Sequence, residues 1–189
     1  IEQTATDLVA MVVNGNGIPE ADKNRFFDSD KYKNVGLRLT QGIGKYLTVG
    51  GFYYLGRELG GCSDSTVCWD NEITYFGPDV GISIDRFSLT GQYMIREDTN
   101  PGMKKLSGEN YRTEGVVAEL IFAPYYDRSR TYFTLLYNMI DSDIVLYDYE
   151  TVTFSGTYLL ARNLRLLGEY TRFVDEERNR VVLGVVSAF

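Results

Sequence analysis

Histidine is missing from this 189-residue chain, cysteine occurs twice, proline four times and tryptophan once. Without an imidazole, the side chain that most often serves as a neutral-pH acid, base or metal ligand has no candidate. Two cysteines alone do not complete a zinc site. Basic residues number 19 against 26 acidic, for a net charge of −7. No basic stripe is therefore available to displace counterions from a phosphate backbone, and nucleic acid is excluded as a partner. No window approaches the run of about 18 apolar residues that a membrane-crossing helix requires. That exclusion covers helices only, because a membrane β-strand needs just about 9–11 residues with apolar side chains at alternate positions.

What is abundant points to strands. The chain carries 15 Tyr, 10 Phe and 19 Gly, a mixture suited to pleated strands joined by tight turns. No break in composition divides it, so residues 1–189 read as one domain. Read with period two, the sequence separates into about ten runs of spanning length. Val35, Leu37 and Leu39 alternate with Arg38 and Thr40, and Leu47, Val49, Gly51, Tyr53 and Leu55 alternate with Thr48, Gly50 and Phe52. The same pattern recurs in Val80-Ile82-Ile84, Phe87 to Ile95, Val116 to Phe122, Phe133 to Met139, Val152 to Leu160, Leu164 to Tyr170 and Val181 to Val185. The second face of these runs carries Arg38, Asp79, Gln92, Arg96, Glu119, Asn138, Arg165 and Glu169. Charges near strand centres need water or partners, which predicts a wet lumen lined by these residues behind an apolar outer face. A soluble barrel with the apolar face turned inward would alternate in the same way.

Connections between the runs alternate in length. Short ones are expected at Gln41–Lys45, Asp85-Arg86, Asp127–Arg130 and Arg162-Asn163. Longer ones are expected at Asn14–Asn34, Gly56–Asn71, Glu97–Thr113 and Asp141–Glu150, with a briefer one at Asp175–Asn179. Alternation of this kind distinguishes the periplasmic turns of an up-and-down membrane barrel from its extracellular loops. The expected fold is thus all-β, an antiparallel up-and-down transmembrane β-barrel with about ten strands in this chain. It is either complete in itself or part of a larger barrel. Tyr53, Tyr54, Tyr93, Tyr125, Tyr126 and Phe173 lie near run ends and are expected in interfacial aromatic girdles.

Cys62 and Cys68 share one Gly/Ser/Asp-rich stretch and are expected to close a small disulfide ring in an oxidising compartment. The acids at Asp141, Asp143, Asp148, Glu150 and Asp175–Glu177 read as solvated loops, with a cation site as the alternative. Asp28-Ser-Asp30 opens like a calcium loop but lacks the later Gly and the bidentate Glu. Asn14-Gly-Asn-Gly17 opens no helix and reads as a turn.

The ending Arg180-Val-Val-Leu-Gly-Val-Val-Ser-Ala-Phe189 resembles the C-terminal signal of outer-membrane barrels, with Phe189 as its terminal aromatic and Ser187 where that signal usually has a bulky residue. The stretches Val12-Val-Asn-Gly-Asn-Gly17, Val35–Thr40 and Leu47–Gly56 resemble the middle of Gram-negative porins of the phosphate-selective or related general type. The resemblance implies the C-terminal part of a porin barrel in the bacterial outer membrane. It further implies a lipid bilayer around it, the barrel assembly machinery and small ions or solutes as partners, possible homo-oligomers, and no cofactor. No phosphate-site residues carry over, since no dense Arg/Lys ladder is present. Barrel enzymes of that membrane resemble one another in relying on histidine. With none here, and no Gly-x-Ser-x-Gly or Ser-x-x-Lys run, the expectation is a passive channel and not an enzyme. The alternative is a non-conducting barrel acting as anchor, adhesin or sheath through its long loops.

Overall fold

The computed structural model describes residues 5–14, 32–63, 67–100 and 110–187, with the side chains at 59–69 and of Asp127 outside the described set. It is an all-β, antiparallel up-and-down sheet of ten strands in sequence order. They are β1 (Thr6–Asn14), β2 (Lys33–Ile43), β3 (Leu47–Ser63), β4 (Val67–Ile84), β5 (Phe87–Asp98), β6 (Tyr111–Phe122), β7 (Thr131–Ser142), β8 (Tyr149–Ala161), β9 (Leu164–Phe173) and β10 (Arg178–Ser187). Short 3-10 turns occupy Tyr126–Arg128 and Val145–Tyr147. Each strand pairs with its sequence neighbours, and the outer edges of β1 and β10 have no strand partner among the described residues. No described helix is long and apolar enough to cross a membrane.

The turn residues explain where the strands reverse. Asp85 adopts φ 49° in the Asp85-Arg86 connection, a left-handed conformation that Asp tolerates through local hydrogen bonding. Gly44, at φ 61°, does the same between β2 and β3. The expected long connection at Gly56–Asn71 is not a loop. There β3 and β4 run on as a ladder from Leu47↔Ile82 to Ser63↔Val67, with one bulge between Leu59 and Gly61, and only residues 64–66 lie between them. Polar and glycine-rich text hid the strands because it breaks the apolar alternation that marks the other runs. The short connection expected at Asp127–Arg130 starts earlier, since β6 ends at Phe122.

Register places the alternating apolar residues of the runs above on one face, as Leu37↔Tyr53, Leu89↔Leu120, Leu120↔Leu135, Leu135↔Phe154 and Tyr170↔Val181 illustrate. This apolar face is the exposed one: Leu39 is 51% exposed, Leu135 46% and Leu183 84%. Opposite it lies a sheltered polar face. Among the described residues the buried apolar side chains are only Ile73 and Phe173, whereas Asn34, Asn71, Asp98, Ser142, Thr151 and Thr171 are buried on that polar face. The distribution is the reverse of a water-soluble core.

The apolar band has sharp limits. On β5 it runs from Phe87 to Ile95, about 26 Å at ~3.3 Å per residue, before Glu97 takes the next outward position. Lys33, Arg57, Glu72, Glu114, Asp141, Glu150 and Arg172 mark the same boundary on the neighbouring strands. Near the other end Phe87, Phe122, Phe133 and Phe154 form a row with successive ring centroids 4.8, 6.4 and 6.2 Å apart. Two of the expected girdle residues are corrected. Tyr54 and Phe173 fall on the polar face, because Tyr54 pairs with Gly36 and Tyr75 and Phe173 with Thr151. One-residue parity, and not nearness to a run end, decides the face.

A transverse row of paired residues leads from Thr6 through Gln41, Val49, Val80, Gly91, Ala118, Tyr137, Val152 and Arg172 to Asn179. It begins at the first residue of β1 and ends near the start of β10, at the opposite margin of the sheet. The strands are therefore tilted across the sheet, the stagger that a closing barrel accumulates.

Candidate functional site

All the candidate lining residues, Arg38, Asp79, Gln92, Arg96, Glu119, Asn138, Arg165 and Glu169, lie on the polar face by register. At its centre the Arg38 guanidinium donates to Asp79 Oδ1 at 3.0 Å. The strands of this pair are separated by β3, and Gly50 lies between them. A Cβ on Gly50 would sit 2.8 and 3.0 Å from the Asp79 carboxylate oxygens. Only glycine leaves the carboxylate room to lean across. Asp79 Oδ2 is buried without a hydrogen-bond partner among the described residues, while Gln92 is the register partner of Asp79 on β5.

Toward the long-loop margin the polar groups link into a belt. Asn71, fully buried, donates to Glu58 Oε1 at 2.9 Å and Asp98 Oδ1 at 2.8 Å, and accepts from the Asn100 backbone N–H at 2.9 Å. Arg96 holds both Asp98 oxygens, at 2.6 and 2.8 Å, a two-point geometry stronger than a single contact. Thr113 and Ser142 hydroxyls meet at 2.7 Å, and the Ser142 backbone N–H donates to Asp148. Further round, Thr153 donates to Thr171, Thr171 to Glu169, and Arg180 to Glu169 at 3.2 Å. Satisfying buried polar atoms in this way removes the desolvation penalty they would otherwise carry.

Register and side-chain reach decide the ion pairs. Arg38 and Asp79 meet, but Arg96 turns to Asp98 and Glu169 to Arg180. Glu119 and Arg165 join no ion pair among the described residues, and Asn138 stands on the same face opposite Thr151. Asp98, Glu58, Asn71 and Arg180 were missed because the text around them reads as loop or as terminal strand. The arginines of this face, Arg38, Arg96, Arg165, Arg178 and Arg180, nearly balance the acids Asp7, Glu58, Asp79, Asp98, Glu119 and Glu169.

The face also carries aromatics. Phe52 and Tyr75 meet edge to face with centroids 4.7 Å apart, Tyr54 lies beside them, and the Tyr75 hydroxyl donates to Met94 Sδ at 2.8 Å. No group of three or more potential metal ligands occurs among the described residues.

Cys62 and Cys68 sit in β3 and β4 and not in a loop, directly opposite each other in the ladder. Their side chains lie outside the described set, as do Phe189, Asn14-Gly-Asn-Gly17 beyond Asn14, and Asp28-Ser-Asp30. No family model matches the chain, and no curated protein or solved structure matches it.

Proposed function

We propose that the chain forms wall of an outer-membrane β-barrel channel of porin type, through which small ions or solutes diffuse passively, with no catalytic role. The inversion of burial carries this reading: polar groups are sheltered while an apolar face extends over all ten strands. An exposed apolar surface of that extent would drive a water-soluble monomer to associate. Its band, about 26 Å along a strand, suits the ~25 Å apolar belt of outer-membrane barrels once strand tilt is allowed for. A bilayer admits no open sheet edge, so β1 and β10 are closed in the membrane, either on one another or through further strands. Lipid then covers the apolar face, and water fills the polar face.

The test is conductance. Full-length protein inserted into a planar bilayer should pass small ions in stepwise openings with mild charge preference, because the lumen arginines and acids nearly cancel. Properly inserted protein that conducts at no voltage would overturn the channel. The β3–β4 hairpin, which extends beyond the apolar band to Ser63 and Val67, favours a second reading, in which the barrel anchors a protruding adhesive hairpin.

A further inference from the structure

We infer that the polar face contains a binding site for a neutral, hydroxyl-bearing ring solute of one to two sugar-sized rings, seated on Phe52 and Tyr75. It rests on the reading of this face as a water-filled lumen. A cavity of about 510 Å³ opens over β1–β5, walled by Met11, Phe52, Tyr54, Ile73, Tyr75 and Met94. That size lies within the range of small-molecule sites. On β8 the same face carries Thr151, Thr153 and Ser155, whereas here Phe52 and Tyr75 meet with ring centroids 4.7 Å apart.

Charge argues against an ionic occupant. Arg38 faces Asp79 at 3.0 Å and Arg96 faces Asp98 at 2.6 Å, so the charged groups at each end compensate one another. A bound ion would meet no uncompensated partner. Hydrogen-bonding capacity nevertheless remains. Arg38 has five N–H donors and gives one to Asp79, while Gln92 adds an amide at the same end.

The arrangement of polar groups narrows the class. Gln92 and Arg96 are four positions apart on β5, about 13 Å, with Met94 between them, and Tyr75, the register partner of Arg96, donates its hydroxyl to Met94 Sδ. The site is polar, then apolar, then polar. A phenol or a fatty acid has a polar group at one end only. A pyranose has hydroxyls around its whole rim and apolar faces of C–H groups that lie against aromatic rings, and two linked rings span this distance. Gly36 makes the lining possible, since a Cβ there would stand 2.9 Å from Met11 and 3.5 Å from Tyr54.

Calorimetric titration of the full-length protein in detergent with maltose, sodium benzoate and glycerol tests the assignment without requiring conductance. Saturable maltose binding, weaker benzoate binding and none by glycerol are expected. Phe52→Ala should weaken maltose binding about three- to tenfold, Phe52→Leu should do so in part, and Ser155→Ala on β8 should leave it unchanged. The Leu variant keeps the test decisive if the Ala variant fails to fold. A protein that conducts but binds no maltose, that prefers benzoate, or whose maltose binding survives both Phe52 substitutions overturns the site and leaves the channel standing. Binding by a protein that never conducts overturns the channel and leaves the site.

Discussion

Asp79 reaches Arg38 across an intervening strand, with 3.0 Å between guanidinium and carboxylate and Gly50 beneath the contact. Arg38 is 41% exposed, so the pair contributes no more than about 1 kcal/mol. An alanine methyl at position 50 would occupy the space of the carboxylate. In a double-mutant cycle, Arg38→Gln should lower stability measurably in the wild-type background and have no effect alongside Gly50→Ala. Equal cost in both backgrounds would show that the methyl is accommodated without parting the pair.

Neutralising arginines on the polar face should change ion preference without unfolding the sheet. Arg38→Gln with Arg165→Gln leaves Arg96, Arg178 and Arg180 against Asp7, Glu58, Asp79, Asp98, Glu119 and Glu169. Reversal potentials in a salt gradient should move toward cation selectivity. An unaltered potential would place both arginines away from the permeation path.

The apolar face should tolerate charge poorly. Leu135 and Thr134 are adjacent on β7 and point to opposite faces. Leu135→Arg should destabilise the protein folded in lipid vesicles by about 2–4 kcal/mol, and Thr134→Arg by much less. Denaturant midpoints with the order reversed would turn the sheet inside out and restore the soluble-barrel reading.

Closure can be read from the stagger. The transverse row joins Thr6 to Asn179, and strand tilts of 35–45° give a ten-stranded barrel a total stagger of about 10–14 residues. Adding the middle value, ~12 residues, to that row sets Ala10 opposite Ser187. In an Ala10→Cys, Ser187→Cys variant the two thiols should cross-link within one chain on oxidation, detectable as a gel shift of the monomer. Absence of the cross-link, with neighbouring pairs around position 187 also silent, would mean that further strands lie between β10 and β1.

Directly opposed strand residues lie about 4.5–5.5 Å apart at Cα, within the range a disulfide bridges. Cys62 and Cys68, opposed near the tip of the β3–β4 hairpin, should therefore be oxidised in protein purified without reductant. Mass spectrometry should find the linked peptide, and reduction should sensitise the hairpin tip to protease while leaving the rest of the sheet intact. Two free thiols in oxidised preparations would sink the bridge.

Strand existence and face were legible in the residues because the side-chain period of a strand is two and each run keeps its parity. Val35-Leu37-Leu39 and Arg38 declare opposite faces without reference to any neighbour, and Asp85-Arg86 or Gly44 declare a turn through backbone preference alone. The β3–β4 hairpin was not legible, since Gly60-Gly61 and Ser63 carry no apolar alternation. Nor were the partners. Arg96 choosing Asp98, and Asp79 crossing Gly50 to Arg38, depend on register between strands distant in sequence. So does the aromatic cavity, in which Phe52 on β3 meets Tyr75 on β4. Local pattern thus determined which residues share a face, whereas pairing across strands decided which of them touch, because hydrogen-bonded register is a property of the assembled sheet.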